Sequence, residues 1–98
     1  MRVVFTDEAL RDLDGILDFI ACHYPTIVSS FQQRLQTVLQ RIGKWPKSAE
    51  EVAERPGVRI VPLVRYPYKI FYLATDDAVE ILHIHHVARR PPWDETAT

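Results

Sequence analysis

Apolar residues recur at helical spacing through the first half of the chain and at strand spacing through the second. Arg2 to Phe5 is too short for a helix and reads as a strand. Thr6 follows as an N-cap, with Asp7 and Glu8 in the first turn, where carboxylates favour the positive end of a helix dipole. Leu10, Leu13, Leu17, Ile20 and Tyr24 then recur at steps of three and four, while Asp7, Arg11, Asp14 and Asp18 fall on the other side. Pro25 cannot continue that helix, but it suits the first turn of a second one. Val28, Phe31, Leu35, Val38 and Ile42 form the second apolar stripe, which Gly43 and Pro46 close.

Two amphipathic helices in succession make a hairpin whose joint apolar face needs a sheet. Val58 to Val64, Tyr68 to Thr75 and Ala78 to Val87 are rich in β-branched and aromatic residues and predict three strands. Asp76-Asp77 is a tight hairpin turn, Pro62 marks an edge position and Pro67 a bend. Lys47 to Gly57 is polar and reads as a loop with one helical turn at Glu50 to Glu54. The expected order is β-α-α-β-β-β. This is an α+β fold, a helical hairpin on a small, mostly antiparallel sheet, in one domain over residues 1–98 with a polar tail at 90–98.

Size agrees, because 98 residues with 47% hydrophobic and 26% charged side chains hold one core and not two. Domains this small bury less of their surface and often lean on a partner. The N-terminus turns polar after Phe5, unlike a signal peptide, and no apolar run is long enough for a membrane span, so a soluble, cytoplasmic chain with no membrane partner is expected. Cys22 is alone, which excludes an intrachain disulfide and leaves no pair for a zinc knuckle. A net charge of −1 builds no general attraction for phosphate backbones into the molecule.

The run Arg59-Ile60-Val61-Pro62-Leu63-Val64-Arg65-Tyr66-Pro67-Tyr68-Lys69-Ile70-Phe71-Tyr72, then an acidic turn, then Ile81-Leu82-His83-Ile84-His85-His86-Val87-Ala88-Arg89-Arg90, resembles the C-terminal half of RelE/ParE toxins of bacterial type II toxin-antitoxin systems. The Tyr24-Pro25 joint and the Trp45-Pro46 pair after the second helix extend the resemblance over nearly the whole chain. The distinctive part is the strand block ending in His86-x-x-Arg89. The resemblance implies a toxin neutralised by a small cognate antitoxin.

Two activities are common in that superfamily. RelE-like members cleave messenger RNA on the ribosome, whereas ParE-like members, the plasmid-stabilisation side, poison DNA gyrase. Metal-free RNA cleavage needs a base, an acid and cations around the phosphate. Lys69, His86 and Arg89 are the candidates by resemblance. However, no tyrosine follows Tyr72, and residues 55–98 carry six basic against five acidic side chains, a weak bias for a protein that threads into ribosomal RNA. The Arg65-to-Tyr72 stretch also looks ParE-like, so a gyrase inhibitor rather than an enzyme is expected. Its candidate target contacts are Arg59, Arg65, Lys69, Arg89, Arg90 and Trp93, since Arg and Trp often dominate interfaces. A ribosome-dependent nuclease is the alternative, and an inert antitoxin-binding module is a third reading.

Plain structural roles compete for the same residues. Arg59, Arg65 and Lys69 also read as a solvated sheet face. His83 and His85, two apart on a strand, share a face with Ile81 and Val87; with no third ligand in view, packing or surface histidines are the preferred reading and no metal or cofactor is assigned. His86 faces the other way, with Leu82 and Ile84, as a general base or a hydrogen-bonded structural histidine. Trp93 is either a plug for the tail or an anchor for a partner.

Overall fold

The computed structural model describes residues 1–93. Strand β1 (Arg2–Phe5) leads into helix α1 (Asp7–His23), a 3-10 turn at Pro25–Ile27 and helix α2 (Val28–Lys44). A two-residue strand β2 (Glu50–Glu51) precedes β3 (Val58–Pro62), β4 (Tyr68–Ala74) and β5 (Ala78–His86). The sheet order is β1-β5-β4-β3-β2, antiparallel except for the parallel β1-β5 pair. From Asp94 on, the expected polar tail lies outside the described residues.

Local chemistry sets the element ends where the sequence places them. Thr6 Oγ1 accepts the Ala9 amide at 3.1 Å as the N-cap of α1. Pro25 opens the 3-10 turn between the helices, and Thr75 Oγ1 accepts the amides of Asp77 and Ala78 to close the β4-β5 turn. The strand expected to reach Val64 stops at Pro62, beyond the last residue that β2 pairs, Ile60. Gly43 lets α2 meet β1, since a Cβ there would stand 3.1 Å from the Met1 carbonyl oxygen and from a Val3 methyl.

Three further details differ from expectation. Glu50-Glu51 is a strand and not a helical turn: it pairs with Ile60 and Arg59, and the Glu51 carboxylate accepts the Gly57 amide at 2.6 Å. Arg59 also donates to the carbonyls of Ala49 (2.7 Å) and Lys47 (3.3 Å), drawing this polar segment onto the edge of β3. On α1 the buried stripe is rotated. Ala9 is fully buried and Leu10 is 48% exposed, because the Thr6 cap fixes a helix phase that turns Ala9 to the sheet. In β5 a bulge interrupts the alternation: Tyr72 pairs with Ile81 but Phe71 pairs with His83, leaving Leu82 as the extra residue.

Leu82 thereby reverses the parity of β5. Val79 and Ile81 before it and Ile84 after it all reach the core, together with Tyr68, Ile70 and Tyr72 of β4 and the α2 stripe Phe31, Leu35, Val38 and Ile42. His83 and His85, paired with Phe71 and Lys69, therefore lie on the outer face. Ile81 does not share their face, contrary to the sequence reading.

Candidate functional site

β1 ends opposite Ile81, so the second half of β5 would be a bare edge. α1 covers it. Thr6 donates its amide to the Ile81 carbonyl at 3.0 Å, its hydroxyl lies 2.9 and 3.2 Å from the carbonyls of Ile81 and Leu82, and Asp12 Oδ2 accepts the Ile84 amide at 3.0 Å. This stitching brings Asp12 against two imidazoles, with Oδ2 3.7 Å from His83 Nδ1 and 3.7 Å from His85 Nε2. Glu8, one turn earlier on α1, reaches His83 Nδ1 at 3.6 Å.

His85 is 3% exposed and its side chain makes no hydrogen bond to the described residues; its Nδ1 is buried without a partner. Burial lowers its pKa to about 4, an effect that Arg89, His83 and Lys69 reinforce and Asp12 opposes. The imidazole is therefore neutral near pH 7. It packs edge-on against Phe71, and Trp93 packs edge-on against the same ring at 5.4 Å.

Trp93 thus folds back on the outer sheet face, with the Arg55 guanidinium 5.4 Å from its ring. That is the plug arrangement, and the indole remains half-buried. Lys69, on the same face, donates to the carbonyls of Val87 (3.3 Å) and Arg89 (3.0 Å) and so fixes the turn after β5. Arg89 is exposed at that turn.

The other candidates separate. His86 pairs with Tyr68 and lies on the opposite face from Lys69, whose partner is His85. Its Nδ1 accepts the Ala88 amide at 3.0 Å, and its ring stands edge-on to Tyr68. Arg59 pairs with Tyr72, on the helix side, and is held there by the two carbonyls. Arg65 is exposed in the turn between β3 and β4, and Arg90 is exposed beyond β5. Lys69, Arg89 and the tail through Trp93 are brought together; Arg59 is not among them, and His86, whose carbonyl accepts the Arg89 amide at 3.0 Å and which lines the same groove as Arg89, faces away from Lys69.

A groove of about 700 Å³ runs between α1 and the start of β4 and end of β5, with Ile16, Phe19, Tyr24 and Tyr66 supplying apolar walls and Arg11 and Arg89 cations. Phe19 and Tyr24 are 48% and 57% exposed, a large apolar surface for so small a domain. Tyr24 follows α1 as its C-cap and, unlike the core position its spacing predicts, stands open at the groove. No helix among the described residues is long and apolar enough to cross a membrane.

A helical hairpin on a five-stranded sheet, with a basic turn after the last strand and an open apolar groove beside it, defines a small α+β domain. Residues 3–91 match the family described as ParE toxin of type II toxin-antitoxin system, parDE. The chain is 33% identical over 89 residues to Toxin RelE2 of Caulobacter vibrioides, covering 90% of this chain and 97% of that protein. Among solved structures it is similar to one titled Chromosomal ParDE TA system from P. aeruginosa, with a TM-score of 0.74 and 25% identity over 88% of this chain and 95% of that one. The chain belongs to the ParE toxin family.

Proposed function

We propose that the protein inhibits growth by poisoning DNA gyrase and is neutralised by a cognate antitoxin that occupies the groove beside α1. The observation that carries the gyrase reading is the separation of Lys69 and His86 onto opposite sheet faces. General acid-base cleavage of RNA needs its proton-transfer group and its cations around one phosphate. Here Lys69 is engaged by two backbone carbonyls and His86 by the Ala88 amide. What remains clustered at the end of β5 is a binding surface in which Arg89, Arg90 and Trp93 are the contact residues, with Arg65 on the neighbouring turn. The Val87 amide donates to the Pro67 carbonyl at 2.8 Å, which holds those two turns together.

The antitoxin reading rests on the family and on the exposed apolar side chains Phe19 and Tyr24, which an amphipathic segment would cover. A second reading, RelE-like cleavage of messenger RNA on the ribosome with Lys69 and Arg89 as phosphate-binding cations, draws on the likeness to a protein named Toxin RelE2.

Controlled expression without the antitoxin separates these readings. Gyrase poisoning gives filamentous cells with DNA damage signalling, and purified toxin makes gyrase stall with cleaved DNA. Loss of translation with ribosome-dependent cuts, abolished by Lys69→Ala or Arg89→Ala, would instead establish the nuclease. Normal growth at full expression would leave an inert antitoxin-binding module.

A further inference from the structure

We propose that Asp12, His83 and His85 form a binding site for a divalent transition-metal ion of the zinc class. Their ligand atoms, one carboxylate oxygen and two imidazole nitrogens, all lie within 4.8 Å of one another. A tetrahedral zinc ion with bonds of about 2.0–2.1 Å sets its ligands about 3.3 Å apart, so the 3.7 Å contacts of Asp12 with each imidazole need only a small contraction. The donor set is two nitrogens and one carboxylate oxygen, which suits zinc and its neighbours better than calcium or magnesium.

The second observation is His85 itself. Its side chain is buried and makes no hydrogen bond to the described residues, and its Nδ1, the nitrogen other than the one nearest Asp12, is buried without a partner, which is costly unless the ring serves another purpose. Its Nε2 is aimed at Asp12 Oδ2 at a distance too long for a hydrogen bond and suited to a shared ion. The ligands are also preorganised. Asp12 is held by the Ile84 amide, and the Leu82 bulge turns His83 and His85 to one face beside α1. A bound ion would tie α1 to the part of β5 that β1 leaves unpaired, next to the groove. The site is independent of whether gyrase or the ribosome is the target.

The test uses the full-length chain, freed of antitoxin and of metal by chelation, titrated with Zn²⁺ by calorimetry and with Co²⁺ by visible absorption. A single equivalent should bind, with the d–d bands of four- or five-coordinate Co²⁺ and no thiolate charge-transfer band, and the melting temperature should rise when Zn²⁺ replaces chelator. His83→Ala, at a partly exposed position that tolerates truncation, should weaken binding about a hundredfold or more, since even outer-shell partners are worth about ten- to a hundredfold. Cys22→Ser should bind like the parent. Absence of stoichiometric binding in the folded parent would overturn the proposal and leave a polar cluster only. Binding that survives His83→Ala but is lost in Cys22→Ser would overturn it equally.

Discussion

The Asp12 carboxylate accepts the backbone amide of Ile84 at 3.0 Å, linking a helix and a strand that lie 72 residues apart. It serves as the missing neighbour for a strand edge that β1 is too short to cover. Asp12→Ala leaves that partly buried amide without a partner, and we expect a loss of about 1–3 kcal/mol in urea unfolding. Asp12→Asn keeps an acceptor oxygen and should lose less. Equal unfolding midpoints for the parent and Asp12→Ala would show that the contact contributes nothing.

Acid sensitivity follows from His85. Burial, the Arg89 and Lys69 cations and His83 lower its folded pKa to about 4, against 6.5 ordinarily, with Asp12 opposing. The unfolded chain therefore takes up a proton on this residue near pH 6.5 while the folded chain does not. Its contribution to stability is fully present above pH 6.5, declines as the pH falls and is exhausted below about 4. The full effect is about 3 kcal/mol. Urea midpoints in chelator at several pH values between 7.5 and 4.5 should fall more steeply for the parent than for His85→Leu; parallel slopes would contradict this account.

The turn between β3 and β4 holds Val64 at φ 69, a left-handed conformation unfavourable for a β-branched residue. Its neighbours enforce it. Leu63 donates its amide to the Tyr68 carbonyl, and its own carbonyl accepts Arg34 Nε at 2.9 Å and the Arg65 amide at 2.8 Å, the last closing a tight turn around Val64. Val64 is 72% exposed and contributes little packing in return. Val64→Gly should therefore stabilise the fold by roughly 1 kcal/mol, the relief of strain exceeding the entropy that glycine adds to the unfolded chain. A lower melting temperature in that variant would mean that the turn is held for another reason.

Where a residue's own chemistry decides its conformation, the sequence was readable. Thr6 caps because its hydroxyl meets a free amide, Pro25 ends α1 because it has none to give, and the Asp76-Asp77 turn follows from its flanking strands. The positions that escaped are those decided by distant partners. Ile81-Leu82-His83-Ile84 fits either face of a sheet, and only the pairing with β4 makes Leu82 the extra residue. Nothing in the helix pattern ranks Ala9 above Leu10 as a core residue. Asp12 was invisible as a third ligand for the same reason, because its role depends on where β1 ends. Lys69, His86 and Arg89 are close in the strand block, yet strand parity divides Lys69 from His86.

The tail offers the sharpest test of the proposed gyrase-directed surface. Trp93 packs on Phe71 and beside Arg55, so its loss removes both an aromatic contact and the hold on the segment that carries Arg89 and Arg90. We expect Trp93→Ala to lose roughly 1–2 kcal/mol of stability and most of its killing. Stability loss alone could mimic a lost contact, so two comparisons are needed. Trp93→Phe keeps an aromatic ring against Phe71 and should retain the fold while weakening the target contact, because the indole carries area and an N–H donor that Phe lacks. Arg41→Ala on α2 removes an exposed cation far from the tail and should kill like the parent, since exposed charges on the helices tune association at most. Survival counts after induction, read beside protein levels and urea midpoints, rank the variants. If Trp93→Ala kills as well as Arg41→Ala at equal protein level, the tail is a plug alone and the contact surface must be sought on the Arg65 turn.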